Sequence, residues 1–338
     1  TGSAMRTNTP NRGNPKSIGS QRLFFTVVIT LSMVCPSVTE GSVSSVTFEQ
    51  RNHEVVIRVA DQPVASYVFR DTETLRPYFA HVKTLRGTQV TRNHPPIMDK
   101  DSEDHKTMHP GIWMAYGDLS GSDFWRNKAR IAHVRFVQEP TGGSGIGSFT
   151  EEKHYLRSDG NLICREEFRF EIQVQTGGYL LIWDSTFRSD KEFYFGDQEE
   201  MGLGVRVATF ITEKKGGRLT DSEGREGARA IWSQAARWCD YSGRIENRWA
   251  GITVMCHPEN FRDSWMHARD YGLIAANPFG RKAMKKGAIS RKRVRKGESL
   301  RLQYAVWVHE AESDRLKHVL PVFEDYVRKT KSFLEQKN

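Results

Sequence analysis

Glu167-Phe-Arg-Phe-Glu-Ile-Gln-Val-Gln175 constrains the fold of this chain more than any other stretch. On an extended backbone Phe168, Phe170, Ile172 and Val174 fall on one side and Glu167, Arg169, Glu171 and Gln173 on the other. That alternation predicts a strand with one packed face and one wet face. Residues 46–50, 54–59 and 64–70 before it, and 180–187, 204–212, 251–256 and 302–309 after it, read as further short strands. Gly-rich turns at 141–147, 177–178 and 216–217 separate them. The glycine run 142–147 is not followed by a helical pattern, so it reads as a hairpin loop and not as a phosphate cradle. Helical spacing is convincing once, in Leu316, Val319, Leu320, Phe323, Tyr326, Val327 and Phe333, with Ser313-Asp314 as its cap and Pro321 either kinking it or marking its true start. Many strands before one terminal helix predict an all-β fold, a large antiparallel β-sandwich with a C-terminal helix. Residues 42–338 are long enough to share one core and are expected to form a single domain.

Residues 1–41 differ in kind. An Asn-, Pro-, Gly- and Ser-rich start gives way to Arg22 and the apolar run 23–34, then to small polar residues at 37–42. The run is too short to cross a bilayer and fits a signal peptide behind a disordered start, so the chain is expected to be exported, periplasmic or extracellular, with no membrane span after processing. Of the four cysteines, Cys164, Cys239 and Cys256 would remain. A Cys239–Cys256 bridge and three buried thiols are the two readings open.

The net charge of +9 is unevenly placed. Residues 1–41 carry +3 and residues 281–301 carry +9, ten basic side chains against Glu298, which leaves −3 for the rest. The basic segment is either a patch for an anionic polymer or an edge hairpin kept soluble by its charge.

Polar chemistry gathers in two stretches. The first, 104–128, contains His105, His109, Asp118, Arg126, Asn127 and Lys128 beside Trp113 and Trp125. Flat rings and planar hydrogen-bonding groups are what a sugar site needs. His105, His109 and Asp118 could also ligate a metal, but Pro110 argues against a helix that would align the two histidines, and no metal is expected. The second stretch, 256–280, contains His267, Arg269, Asp270, Tyr271 and Asn277. An extended 266–271 puts His267, Arg269 and Tyr271 on one face, suited to proton transfer beside an anion, or with Arg269 serving only to hold a loop. Glu199, Glu200, Asp221, Glu223 and Asp240 could supply a glycosidase pair, whose separation the sequence does not give.

His109-Pro-Gly-Ile-Trp, Tyr116-Gly-Asp-Leu-Ser-Gly, Asp123-Phe-Trp-Arg-Asn-Lys, Gly204-Val-Arg-Val-Ala, Trp238-Cys-Asp-Tyr-Ser-Gly and Arg269-Asp-Tyr-Gly-Leu-Ile-Ala-Ala-Asn-Pro-Phe-Gly together resemble the PmoA-like family, over about residues 76–309. The resemblance implies a β-sandwich, similar to the galactose-mutarotase supersandwich, in bacterial proteins associated with glycan use. Its methane-oxygenase label would require several long membrane spans, and no apolar stretch of that length follows residue 41. Cys239 stands where a Val is usual in that family. His109-Pro-Gly replaces a longer His-rich run, which argues against a histidine-cluster metal site.

The expected function is that of an exported carbohydrate-active protein, a glycoside hydrolase or related enzyme acting on polysaccharide-derived sugars, with a non-catalytic binder of acidic polysaccharide as the alternative. His105, His109 and His267 are expected to move protons, with Asp118 and Asp270 as orienting or acid groups. Trp113, Trp125, Arg126, Asn127, Lys128, Arg206, Tyr241, Arg269, Tyr271 and Asn277 are expected to hold the sugar. No nucleic-acid partner is expected, and the residues name no cofactor.

Overall fold

The chain is described by a computed structural model over residues 44–313 and 315–335, the last five by backbone alone. The expected signal segment therefore lies outside the described residues. The first strands are β1 (Val46–Gln50), β2 (Glu54–Val59), β3 (Gln62–Val68), β4 (Tyr78–Ala80) and β5 (Ile112–Tyr116). Four long strands follow, β6 (Arg130–Gly142), β7 (Ile146–Leu156), β8 (Leu162–Gln175) and β9 (Gly178–Arg188). Then come β10 (Phe193–Phe195), β11 (Met201–Arg206), β12 (Arg218–Asp221), a helical turn α1 (Ala228–Ile231), β13 (Trp238–Ile245) and β14 (Arg248–Cys256). The last elements are β15 (Trp265–Arg269), β16 (Leu273–Asn277), β17 (Lys292–Val294), β18 (Ser299–Ala311) and the helix α2 (Val319–Glu335).

Two eight-stranded antiparallel sheets result, with the large sandwich expected from the strand pattern. Sheet one runs β1-β2-β3-β4-β5-β11-β16-β15 and sheet two β12-β13-β14-β18-β9-β8-β7-β6, while β10 pairs with β17 alone. Rings from both inner faces meet in the core: Tyr67 and Phe79 of sheet one lie 4.7–5.3 Å from Phe149, Phe170 and Trp183 of sheet two or from each other. Two glutamates buried there are paired, as burial demands. Glu166 takes Lys153 at 3.0 Å and the Tyr155 hydroxyl at 2.8 Å. Glu151 takes His133 at 2.7 Å and the Tyr67 hydroxyl.

The outer face of sheet two is covered by α2, whose Val319, Val322, Phe323 and Tyr326 pack on Leu180, Ile182, Met255 and Trp307. Pro321 falls in the first turn of α2, where its missing N–H costs nothing, so it marks the start and not a kink. The helix also corrects one expectation: Glu171 and Gln173, on the supposedly wet side of β8, are buried. Gln173 accepts a hydrogen bond from Lys329 of α2. The strand expected over 204–212 ends at Arg206, and 209–211 form a 3-10 turn. Cys164, Cys239 and Cys256 are free and buried; Cys239 faces Val254 in the β13–β14 register, two residues away from the alignment a bridge to Cys256 would need.

Candidate active site

The outer face of sheet one carries the polar chemistry. Trp113 on β5, Gly204 on β11, Ala275 on β16 and His267 on β15 are successive register partners and so share that face. Gly204 makes room for two indoles against the sheet, because a Cβ there would stand 2.7 Å from the Trp113 ring and 2.8 Å from Trp125.

Four rings form a column over this floor. Tyr271 stacks on His105 at 5.9 Å, His105 on His109 at 4.6 Å, and His109 on Trp113 at 5.1 Å, with interplanar angles of 17°, 17° and 18°. Tyr271, from the second polar stretch, thereby meets the histidines of the first. The two histidines align through a single turn in which the His109 N–H donates to the His105 carbonyl at 2.9 Å. Pro110 comes immediately after that turn and ends it, so it does not prevent the alignment, contrary to the expectation from sequence. His105 itself has φ +51°, a left-handed conformation that histidine tolerates better than most residues. Arg92 holds the loop from beneath, donating to the carbonyls of Ser102, Asp104 and His109 at 2.6–3.1 Å.

Arg206 extends from the end of β11 and grips Asp104 with two hydrogen bonds, at 2.8 and 2.7 Å, while its guanidinium lies 4.6 Å over the Tyr271 ring. Partial burial alone would raise the Asp104 carboxyl, but hydrogen bonds from Arg206, Ser102 and His105 outweigh it and hold it well below the usual carboxylate range. His105 Nδ1 lies 2.8 Å from Asp104 Oδ2, so with Asp104 ionised Nδ1 donates and the neutral ring keeps Nε2 as its basic atom. Exposure falls steeply along the column: the His105 side chain is 36% exposed, Asp104 32%, His109 1% and Trp113 0%. Burial, and next the Arg206 charge, push His109 well below the ordinary histidine value.

A second cluster lies on the same face. His267 Nδ1 and Arg269 stand 3.6 and 3.0 Å from the Glu199 carboxylate, and Arg126 pairs with Glu200 and with Asp123 at 3.0 Å. Burial, then the Arg269 and Arg126 charges, push His267 down to about 3. His267 and Arg269 share a strand face as expected, whereas Tyr271 sits past the strand end, in the turn to β16.

Other residues singled out in the sequence take different places. Trp113 and Trp125 are fully buried against each other and His109, so they are a floor and not open stacking platforms. Asn127 is a clamp, accepting from Leu75 N–H and Arg76 and donating to the Thr107 carbonyl. Asp118 lies outside the column, its carboxylate accepting from Gly121 N–H in a turn. Asp270 is exposed and faces Lys214 at 3.7 Å. The Tyr241 hydroxyl is buried behind the 269–271 turn, donating to the Asp270 carbonyl. Lys128 is exposed, and Asn277 uses its amide on the carbonyls of Gln198 and Glu199. Sequence reasoning missed Arg76, Arg92 and the role of Asp104; a buried arginine gripping loop carbonyls leaves no periodic signal. Beyond the 93–104 loop lies a cavity of about 610 Å³ lined by residues including Gln89, Asn93, Thr209, Phe210 and Arg244. Its carboxylate, Asp101, is committed to Asn93, Thr209 and the Ile97 N–H.

Residues 54–318 match the family of unknown function DUF6807. The chain belongs to that family. No curated protein matches it. Among solved structures, this DUF6807 member is similar to a galactose mutarotase-like protein from Clostridium acetobutylicum (TM-score 0.38, 9% identity, 79% of this chain and 98% of that one). It is similar also to one from Lactobacillus casei (0.36, 10%, 78% and 100%) and to an α-galactosidase from Geobacillus stearothermophilus in complex with raffinose (0.35, 12%, 74% and 40%). It spans 21% of a structure described as a kojibiose phosphorylase from the human microbiome and 39% of an α-galactosidase from Lactobacillus brevis. These likenesses are too distant to bear on the site, and the fold stands on the strand order itself.

Proposed function

We propose that this protein is an exported carbohydrate-active enzyme in which His105 moves a proton to or from a sugar seated against Tyr271. One observation carries the reading: a partly exposed imidazole, stacked on a tyrosine, is oriented through Nδ1 by a carboxylate that a buried arginine keeps ionised. This is the base-plus-orienter arrangement of general acid–base catalysis, with the reactive nitrogen left for substrate. Asp104, held ionised, suits orientation and not proton donation. Tyr271, with His105 and the Arg206 guanidinium over its ring, offers its edge and hydroxyl to a sugar, and Arg269, Arg126 and Glu199 supply hydroxyl contacts further along the face. The PmoA-like motifs and the apolar run 23–34 support glycan use and export respectively.

The second reading, a non-catalytic sugar binder, is favoured by the ion pairing of Glu199 and Glu200 with Arg269 and Arg126, which occupies the carboxylates a glycosidase would use. Incubation with an oligosaccharide panel, followed by mass and NMR analysis, separates the two. The enzyme reading expects turnover that His105→Gln lowers on the order of 10²-fold or more. Turnover unchanged in that variant would overturn it, and binding without turnover that Tyr271→Ala abolishes would establish the second.

A further inference from the structure

Three arginines of the basic segment are ion-paired. Arg293 pairs with Glu192 at 2.7 Å, Arg295 with Glu298 at 3.7 Å, and Arg301 with Asp184 at 2.5 Å. Arg291 and Lys292, together with Arg262 from the loop before β15, do not: among the described residues no carboxylate lies within ion-pair distance of any of the three. They converge on one cavity of about 190 Å³, lined also by Phe261, Phe279 and Ser290 and by no acidic side chain.

Each of the three is held in place by a ring. Arg262 lies 5.5 Å over Phe261 and 5.3 Å over Trp265, Lys292 lies 5.2 Å over Phe261, and Arg291 lies 4.8 Å over Tyr194. Cations so fixed lose little further freedom on meeting an anion. The acid that acts on Arg262 is already used, since the Asp197 carboxylate accepts N–H bonds from Lys282, Ala283 and Ser290 at 2.7–3.0 Å and thereby shapes the loop. Burial, and next the Arg281 charge, lower Arg262 from its ordinary value, the response of a cation short of counter-charge.

We propose that this cavity is a subsite for an anionic group, a sulfate or carboxylate borne by the saccharide chain. The inference rests on the sugar-acting reading of the ring column and names its substrate class. Strand β16 connects the two places: Leu273 lies beside the Tyr271 turn, Pro278 lines the cavity, and the five residue steps between them span roughly 17 Å. A short anionic oligosaccharide laid along β15 and β16 would reach from one to the other.

The test is equilibrium binding of dextran sulfate oligosaccharides, oligogalacturonate and neutral dextran to the full chain. Wild type is expected to bind a charged ligand and not dextran, with the two charged arms deciding between sulfate and carboxylate. Arg262→Gln/Arg291→Gln/Lys292→Gln is expected to lose about tenfold or more in affinity, and Arg293→Gln/Arg295→Gln less than about twofold. Arg291→Gln alone, at an exposed position, guards against misfolding of the triple variant and is expected to show part of the same loss. Equal losses in both sets, or none in the first, would overturn the subsite. Turnover of the oligosaccharide panel reports the proton-transfer reading, whereas the affinity difference between the two cation variants reports the anion subsite, so failure of the one and failure of the other give different results.

Discussion

His105 and His109 are four residues apart on one turn, yet their surroundings give them different properties. One is exposed enough to meet a ligand and is oriented by Asp104; the other is sealed between a ring and an indole, and burial keeps it neutral. The same physics applies to His267, pushed down to about 3, and His94, pushed by burial down to about 4, from an ordinary 6.5. A histidine depressed in the folded state binds fewer protons there than in the unfolded chain. Stability from these groups is therefore fully present above about pH 6.5 and is lost as pH falls toward 4, by up to about 1.4 kcal/mol per pH unit for each histidine. Urea denaturation as a function of pH is expected to show that slope, and His267→Gln to flatten it; an unaltered slope would mean that His267 is not held neutral. Which histidine would be open and which closed was not legible from the sequence, because the covering side chains come from distant segments.

Gly204 shows how an element can determine a site without contributing a side chain. Its position opposite Trp113 and Ala275 leaves the space in which the two indoles pack. Gly204→Ala is expected to cost about 1–3 kcal/mol through overpacking and to shift tryptophan fluorescence as Trp113 and Trp125 move. An unchanged emission spectrum would place the indoles elsewhere. On the other sheet, α2 supplies the cover for an apolar outer face, and Phe323→Ala is expected to lower stability by about 3 kcal/mol in the same urea experiment. Most strands were legible because alternation is a local signal, clearest in Phe168, Phe170 and Ile172. The burial of Glu171 and Gln173 was not, since the helix that covers them lies far along the chain.

Two sheets, each with a covered outer face, divide the molecule's tasks. A helix covers the middle strands of sheet two, whereas sheet one is covered by loops bearing histidine, arginine and carboxylates. Segment composition made the two polar stretches and the basic run visible in advance. Their meeting through Tyr271 and His105 depended on β15 and β16 sitting at the edge of sheet one beside β11, a strand order that no motif encodes. Two places could then hold the reacting sugar, the ring column and the cavity of about 610 Å³ beyond the 93–104 loop. A crystal structure with a bound oligosaccharide decides between them. The account predicts a sugar ring within about 4 Å of Tyr271 and His105, with a hydroxyl facing His105 Nε2. A sugar bound only between Gln89, Phe210 and Arg244, with Tyr271 and His105 uncontacted, would contradict it.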